Sequence, residues 1–128
     1  MWLPSFLRKR KAQLVVTLSG SPGRDVQLIY TISEQKIEIG RGERPREEEN
    51  PYINKRDSRL VISPLPLFRV ISRKHATLEW DPTAYRYIFQ DHSTAGSIVA
   101  GTALHHASRS LNDKDQFVID HFRFQILY

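Results

Sequence analysis

The 128-residue sequence contains no cysteine, and this absence excludes several kinds of site at once. Disulfide frameworks, thiolate zinc sites, iron–sulfur clusters and cysteine nucleophiles all require a thiol. The sequence also lacks any run of about 18 apolar residues, the length that a membrane-spanning helix needs. A short apolar stretch at residues 2–7 precedes its basic residues, which is the reverse of a secretory signal. We therefore predict neither a disulfide-stapled protein nor a targeting peptide.

The net charge of +5 is unevenly distributed along the chain. Residues 1–11 contain four basic residues and no acid, so the remaining chain has 15 basic and 14 acidic residues and is nearly neutral. We interpret 1–11 as a basic and apolar N-terminal extension and 12–128 as one domain. The neutral domain has no basic stripe with interleaved aromatics, which argues against nucleic acid as a partner.

Three interpretations of the N-terminal extension stay open. It is a solvated linker, a nucleic-acid contact, or a weak contact with an anionic membrane surface or a partner protein through Trp2 to Lys11. Basic residues near an anionic membrane surface contribute about 1 kcal/mol each, so the membrane contact would be weak and sensitive to salt. We expect a cytoplasmic location, with membrane association through this extension as the second option.

Short apolar runs between turn residues predict an all-β fold. Phe122, Phe124 and Ile126 share one face of a period-two pattern, while Arg123 and Gln125 lie on the other, as in a half-buried antiparallel strand. No convincing helical pattern is present. Nine strands are predicted, at residues 12–18, 26–32, 36–39, 59–62, 75–80, 85–91, 97–100, 116–119 and 122–128.

The segment at residues 42–59 has the highest density of charge. It mixes arginines and glutamates with two prolines and has no apolar face on which a helix could pack. We predict one long charged loop there. Loops of this length are uncommon in compact domains unless they are functional or mobile.

Three clusters, each predicted to lie in a loop, hold most of the residues capable of chemistry. They are Gly40-Arg41, Ser72-Arg73-Lys74-His75 and the run from Asp91 to Ser97. In this order within a strand-rich chain they resemble the motifs of the forkhead-associated (FHA) domain. Residues 111–127 resemble the closing hairpin of that family, with Lys114 where a glycine is usual. The resemblance covers 12–128 and implies an antiparallel β-sandwich of FHA/SMAD type, with the ligand site in loops at one end.

The chemistry expected of such a site follows from the ligand. A phosphorylated side chain carries about −1.5 to −2 charges and three strong acceptor oxygens, so it calls for a guanidinium, a hydroxyl and backbone N–H donors. The resemblance assigns phosphopeptide contacts to Arg41, Ser72, Arg73, Thr94 and Ala95. It assigns structural support of the site to Gly40, His75 and Gly96.

The function that the resemblance implies is a phosphothreonine-dependent protein–protein interaction module. Such a module is a signalling adaptor rather than an enzyme, needs no cofactor or metal, and has a phosphothreonine-containing protein as its partner. Ala95 departs from the family pattern, which has an asparagine that binds the peptide main chain. A lost neutral hydrogen bond costs about 0.5–1.5 kcal/mol, so weakened binding is expected. The alternative is a degenerate scaffold subunit that docks partners independently of phosphorylation.

The sequence contains two further arrangements of polar residues. Ser72, His75 and Asp91 are the residue types of a hydrolase triad, but the sequence has no Gly-x-Ser-x-Gly nucleophile turn, so no enzyme is predicted. His105 and His106 are adjacent, and on a strand they would point to opposite faces. We therefore predict surface loop histidines there and no metal site.

Overall fold

The computed structural model of the protein describes residues 10–19 and 26–128. The strands are β1 Ala12–Leu18, β2 Val26–Ile32, β3 Lys36–Arg41, β4 Ile53–Arg56, β5 Arg59–Ile62, β6 Ala76–Asp81, β7 Arg86–Asp91, β8 Ser97–Val99, β9 Thr102–Leu104, β10 Ser108–Ser110, β11 Gln116–Ile119 and β12 Phe122–Leu127. The helical structure in this part of the chain is one short 3-10 turn, Pro66–Phe68. It contains no helix long and apolar enough to cross a membrane.

The strands form two six-stranded sheets that face each other as a sandwich, which confirms the predicted all-β class. One sheet has the order β2-β1-β12-β11-β8-β9, and the other has the order β10-β7-β6-β3-β5-β4. Strand pairing is antiparallel with one exception, since β3 runs parallel to β5 with Ile39 opposite Leu60. A parallel neighbour needs a longer connection than a hairpin. The charged segment after Arg41 provides that connection.

The core lies between the sheets and is rich in aromatic side chains. Phe117 and Phe124 stack with ring centroids 4.6 Å apart, and Phe89 packs against Phe117 at 4.8 Å. All three are fully buried. Burial of a side chain of this size stabilises the folded state by about 1.5–3 kcal/mol. The alternation of β12 predicted from sequence is therefore the pattern that fills the core.

Three strands were missing from the sequence prediction. The segment predicted as one loop over 42–59 contains β4, which pairs with β5 through Asn54 and Val61, so that prediction was wrong for its last part. β9 and β10 each have three residues, and β10 is exposed along its whole length. Strands this short and polar carry no period-two signal, because β9 buries one residue and β10 buries none.

Much of the N-terminal extension, residues 1–9, lies outside the described residues. Its last part contacts the domain, because the Arg10 guanidinium donates hydrogen bonds to the Ser33 carbonyl and, over 3.1 Å, to Gln35 Oε1. Arg10 is thus held at the corner between β2 and β3. The three interpretations of the extension stay predictions.

Candidate functional site

The end of β3 passes unusually close to the segment that precedes β6. A Cβ atom placed on Gly40 would lie 1.9 Å from the carbonyl oxygen of Arg73 and 2.9 Å from that of Ser72. No side chain fits in that space. The Arg41 amide then donates a hydrogen bond of 3.1 Å to the Ser72 carbonyl. Glycine at position 40 therefore allows the contact that places Arg41 beside Ser72 and Arg73.

His75 joins this segment to the loop that follows β7. Its Nδ1 accepts a hydrogen bond of 3.1 Å from the Ser72 amide, and its Nε2 donates one of 3.0 Å to the Gly96 carbonyl. This pair of partners requires the neutral imidazole with its proton on Nε2. Burial lowers the pKa of His75, against opposing effects of the Gly96 carbonyl and Asp91, so the neutral form is favoured. The residue is 1% exposed and has the geometry of a structural link.

The Ser72 hydroxyl is oriented from the other side of the site. The Thr94 amide donates a hydrogen bond of 3.1 Å to Ser72 Oγ. A hydroxyl has one proton and two lone pairs, so Ser72 keeps its own proton for another acceptor. The Thr94 side chain is exposed next to it. The two loops thus present a free hydroxyl donor in a defined orientation.

A cleft of about 470 Å³ adjoins these groups, lined by Arg41, Gly42, Glu43, Arg59, Pro64 and Arg73. Glu43 pairs with Arg59 at 3.0 Å and with Arg56 at 3.6 Å. Within residues 10–19 and 26–128, Arg41 and Arg73 form no ion pair, and the buried Nε of Arg41 has no hydrogen-bond partner. The cleft therefore offers two uncompensated guanidinium groups, which is the chemistry of an anion site.

Asp91 holds the loop after β7 in shape. Its buried carboxylate accepts hydrogen bonds from the Ser97 hydroxyl at 2.6 Å, the Ser93 hydroxyl at 2.9 Å and the His106 amide at 3.1 Å. Burial raises the pKa of Asp91, but these donors outweigh burial, so the pKa falls below its ordinary value. Gly96 closes the turn with a φ of +85°, where an added Cβ would also meet the Leu104 carbonyl at 3.1 Å. These contacts hold the loop in its observed shape without a ligand.

The structure gathers the predicted site residues at one end of the sandwich. Arg41 and Arg73 line the cleft, and Ser72 and Thr94 are joined by a hydrogen bond. Gly40, His75 and Gly96 lie behind them in the packed positions just described. Ala95 is exposed and lines a second cleft of about 410 Å³, together with Val70, His75, Gly96, Ser97, Ile98, Ala103, Leu104, His105, Val118 and Asp120.

Sequence reasoning missed the structural role of Asp91, Ser93 and Ser97. The sequence placed Asp91 in the third motif cluster and among the residue types of a triad, but its carboxylate and the two serine hydroxyls form one buried network. The only sequence feature there is a run of polar residues after a strand, which does not distinguish buried from solvated side chains.

The triad itself is absent, because the imidazole of His75 contacts the backbone amide of Ser72 and not its hydroxyl. The Ser72 hydroxyl instead accepts from the Thr94 amide. Nothing in this geometry activates Ser72 as a nucleophile.

His105 and His106 are surface loop histidines, as predicted, but the opposite-face argument does not apply to them. The two residues lie in a turn between β9 and β10, and His106 has a φ of +53°. Both rings therefore turn to the same side, with Nε2 of His105 at 3.0 Å and Nε2 of His106 at 2.8 Å from the Ser93 carbonyl oxygen. The opposite-face argument holds only for extended backbone.

Comparison with known proteins identifies the family of this domain. The family model described as FHA domain matches residues 37–120. A search of curated proteins finds no match. A solved structure from a study of phosphothreonine-dependent FHA domain interactions is 21% identical, with a TM-score of 0.55, over 91% of this chain and 96% of its own.

Two further solved structures share the fold. The FHA domain of a hypothetical protein of Arabidopsis thaliana is 19% identical, with a TM-score of 0.57, over 94% of this chain and 86% of its own. EmbR of Mycobacterium tuberculosis, in complex with a low-affinity phosphopeptide, is 20% identical, with a TM-score of 0.55, over 91% of this chain and 24% of its own.

Proposed function

Since the chain belongs to the FHA domain family, we propose that it is a protein–protein interaction module that binds phosphothreonine-containing segments of a partner protein. Its similar structures include one from a study of phosphothreonine-dependent interactions and one in complex with a phosphopeptide. Interaction through loops on a rigid sandwich needs no catalytic group.

One observation carries the proposal: uncompensated guanidinium groups lie next to an oriented hydroxyl. Arg41 and Arg73 line a cleft whose third arginine, Arg59, is already paired with Glu43. The Ser72 hydroxyl beside them is held by the Thr94 amide with its proton free. A phosphate group would accept charge-assisted bonds from the guanidinium groups and a short bond from the hydroxyl. Because His75 and Asp91 fix both loops in advance, little ordering would accompany binding.

The decisive experiment is a titration of the protein with phosphothreonine, phosphoserine and unmodified versions of a peptide library. We expect saturable binding of phosphothreonine peptides and little binding of unmodified ones. Equal binding of all three would contradict the proposal.

An Arg41→Ala variant tests the position of the site. Charge-assisted hydrogen bonds contribute about 1.5–3 kcal/mol, so the affinity for phosphopeptide should fall by about tenfold to 100-fold. Arg123→Ala removes the same charge from an exposed position on β12, in the other sheet, and serves as the matched control. Equal losses in both variants would point to a general charge effect instead.

A second candidate function is docking that does not depend on phosphorylation. The cleft beside Ala95 favours it, since Val70 and Ile98 on its walls are 50% and 46% exposed. Apolar groups exposed in a concave surface are typical of interaction sites. A pull-down from phosphatase-treated lysate separates the two functions, because partners held by this cleft alone would survive the treatment.

A further inference from the structure

The Asp91 carboxylate is a buried negative charge without a cationic partner. Its side chain is fully buried, and the nearest imidazole is that of His75, with Nε2 3.9 Å from Asp91 Oδ2. His75 is neutral in its bridging role, since Nδ1 accepts from one loop and Nε2 donates to the other. Among the described residues no lysine or arginine pairs with Asp91. Buried charges in proteins are generally paired or bound to metal ions, so the groups around Asp91 indicate whether a cation could bind beside it.

Two imidazoles lie on the solvent side of this carboxylate. The ligand atoms of His105, His106 and Asp91 all lie within 4.8 Å of one another. Both histidine Nε2 atoms converge on a single oxygen, the Ser93 carbonyl, at 3.0 and 2.8 Å. Both histidines are exposed, so an ion would reach them from solvent. The turn therefore collects two nitrogen donors next to a fixed negative charge.

We propose that His105 and His106, backed by the charge of Asp91, bind one transition-metal ion of the Zn²⁺ class. Imidazole nitrogen suits zinc, copper and nickel, whereas magnesium and calcium prefer oxygen ligands. The two Nε2 atoms are the protein ligands, and water completes the coordination. Asp91 acts through its charge, because its oxygens already accept hydrogen bonds from Ser93, Ser97 and the His106 amide.

The binding step conserves protons. In the free protein each Nε2 donates its proton to the Ser93 carbonyl. A metal ion needs the lone pair at Nε2, so that proton leaves to solvent and another is taken up at Nδ1, which leaves each ring neutral. The two rings exchange hydrogen bonds to one carbonyl oxygen for bonds to the ion.

Calorimetric titration of the tag-free chain with Zn²⁺ tests the site, alongside Mg²⁺ as a hard-cation comparison. We expect one saturable Zn²⁺ site per chain and none for Mg²⁺. His105→Gln and His106→Asn should each weaken Zn²⁺ binding by about tenfold or more, since even residues that only orient a ligand contribute about 10–100-fold. Asparagine suits position 106 because it tolerates the positive φ found there.

The matched control is His121→Gln. His121 is a partly exposed imidazole next to a carboxylate, with Nε2 3.7 Å from Asp120 Oδ2, and it is not part of the cluster formed by Asp91, His105 and His106. This variant should bind Zn²⁺ as the unmodified chain does. Circular dichroism checks that all three variants are folded. The proposal is overturned if Zn²⁺ does not bind the unmodified chain, or if the three variants lose affinity equally. It is independent of phosphopeptide binding, which none of these measurements requires.

Discussion

Replacement of His75 by alanine tests the link between the two loops of the site. The imidazole accepts from the Ser72 amide and donates to the Gly96 carbonyl, and it is 1% exposed. Alanine removes both hydrogen bonds and leaves a cavity between the two loops. The folded state should therefore lose stability, and the loops should lose their mutual position.

The magnitude follows from the two partners left behind. A buried polar group without a hydrogen bond costs about 1–3 kcal/mol, so the Ser72 amide and the Gly96 carbonyl together cost about 2–6 kcal/mol. Domains of this size are stable by about 5–15 kcal/mol. The free energy of unfolding of His75→Ala should thus fall by a large fraction of its total.

Urea denaturation measures this difference, with His92→Ala as the control. His92 is a neighbouring, partly exposed histidine whose Nε2 has one side-chain partner, Thr77 Oγ1 at 3.1 Å. Its loss should cost about 1 kcal/mol. If His75→Ala were no less stable than His92→Ala, the bridging role of His75 would be refuted.

Three further outcomes are expected. Gly40→Ala should lower the free energy of unfolding by about 3 kcal/mol, because the added Cβ would meet the Arg73 carbonyl. Gly101 has a φ of +80° but open space around it, so Gly101→Ala should lower the free energy of unfolding by only about 1 kcal/mol. Equal effects in denaturant titrations would contradict the steric argument. Ala95→Asn should tighten phosphopeptide binding severalfold, and unchanged affinity in a titration would show that this position does not face the peptide. Burial lowers the pKa of His75 below its ordinary 6.5, so on acidification the unfolded chain takes up this proton before the folded chain does. The free energy of unfolding should therefore be highest above about pH 6.5 and decrease as the pH falls below it. The decrease should be smaller in His75→Ala, and an equal decrease in a pH series would contradict this cause.

The strands that the sequence predicted well are those that fill the core. β1, β2, β5 and β11 have the predicted bounds, because their apolar residues alternate or run continuously between turn residues. The parallel partnership of β3 and β5 was not predictable, since it depends on a long charged connection that carries no apolar pattern. β4 was not predicted for the same reason, since it lies inside that charged segment.

The candidate site divides in a similar way. The motifs in the sequence predicted the identity and order of Arg41, Ser72 and Thr94, and the structure brings these residues to one end of the sandwich. The buried network of Asp91 could not be predicted from the sequence, because a polar run after a strand looks the same whether its side chains are solvated or buried. The convergence of His105 and His106 depends on one positive φ, which no pattern in the sequence marks.

The sequence by itself determined the class of this protein, because period-two alternation and closely spaced turn residues are local properties that each strand carries independently. It also determined which donors are available to a ligand. Only the tertiary structure decided which donors are free: Arg59 is paired with Glu43, the Ser72 hydroxyl keeps its proton, and His75 is committed to two backbone groups. Those outcomes depend on contacts between residues far apart in the chain, where distance and burial set the strength of each hydrogen bond and charge interaction.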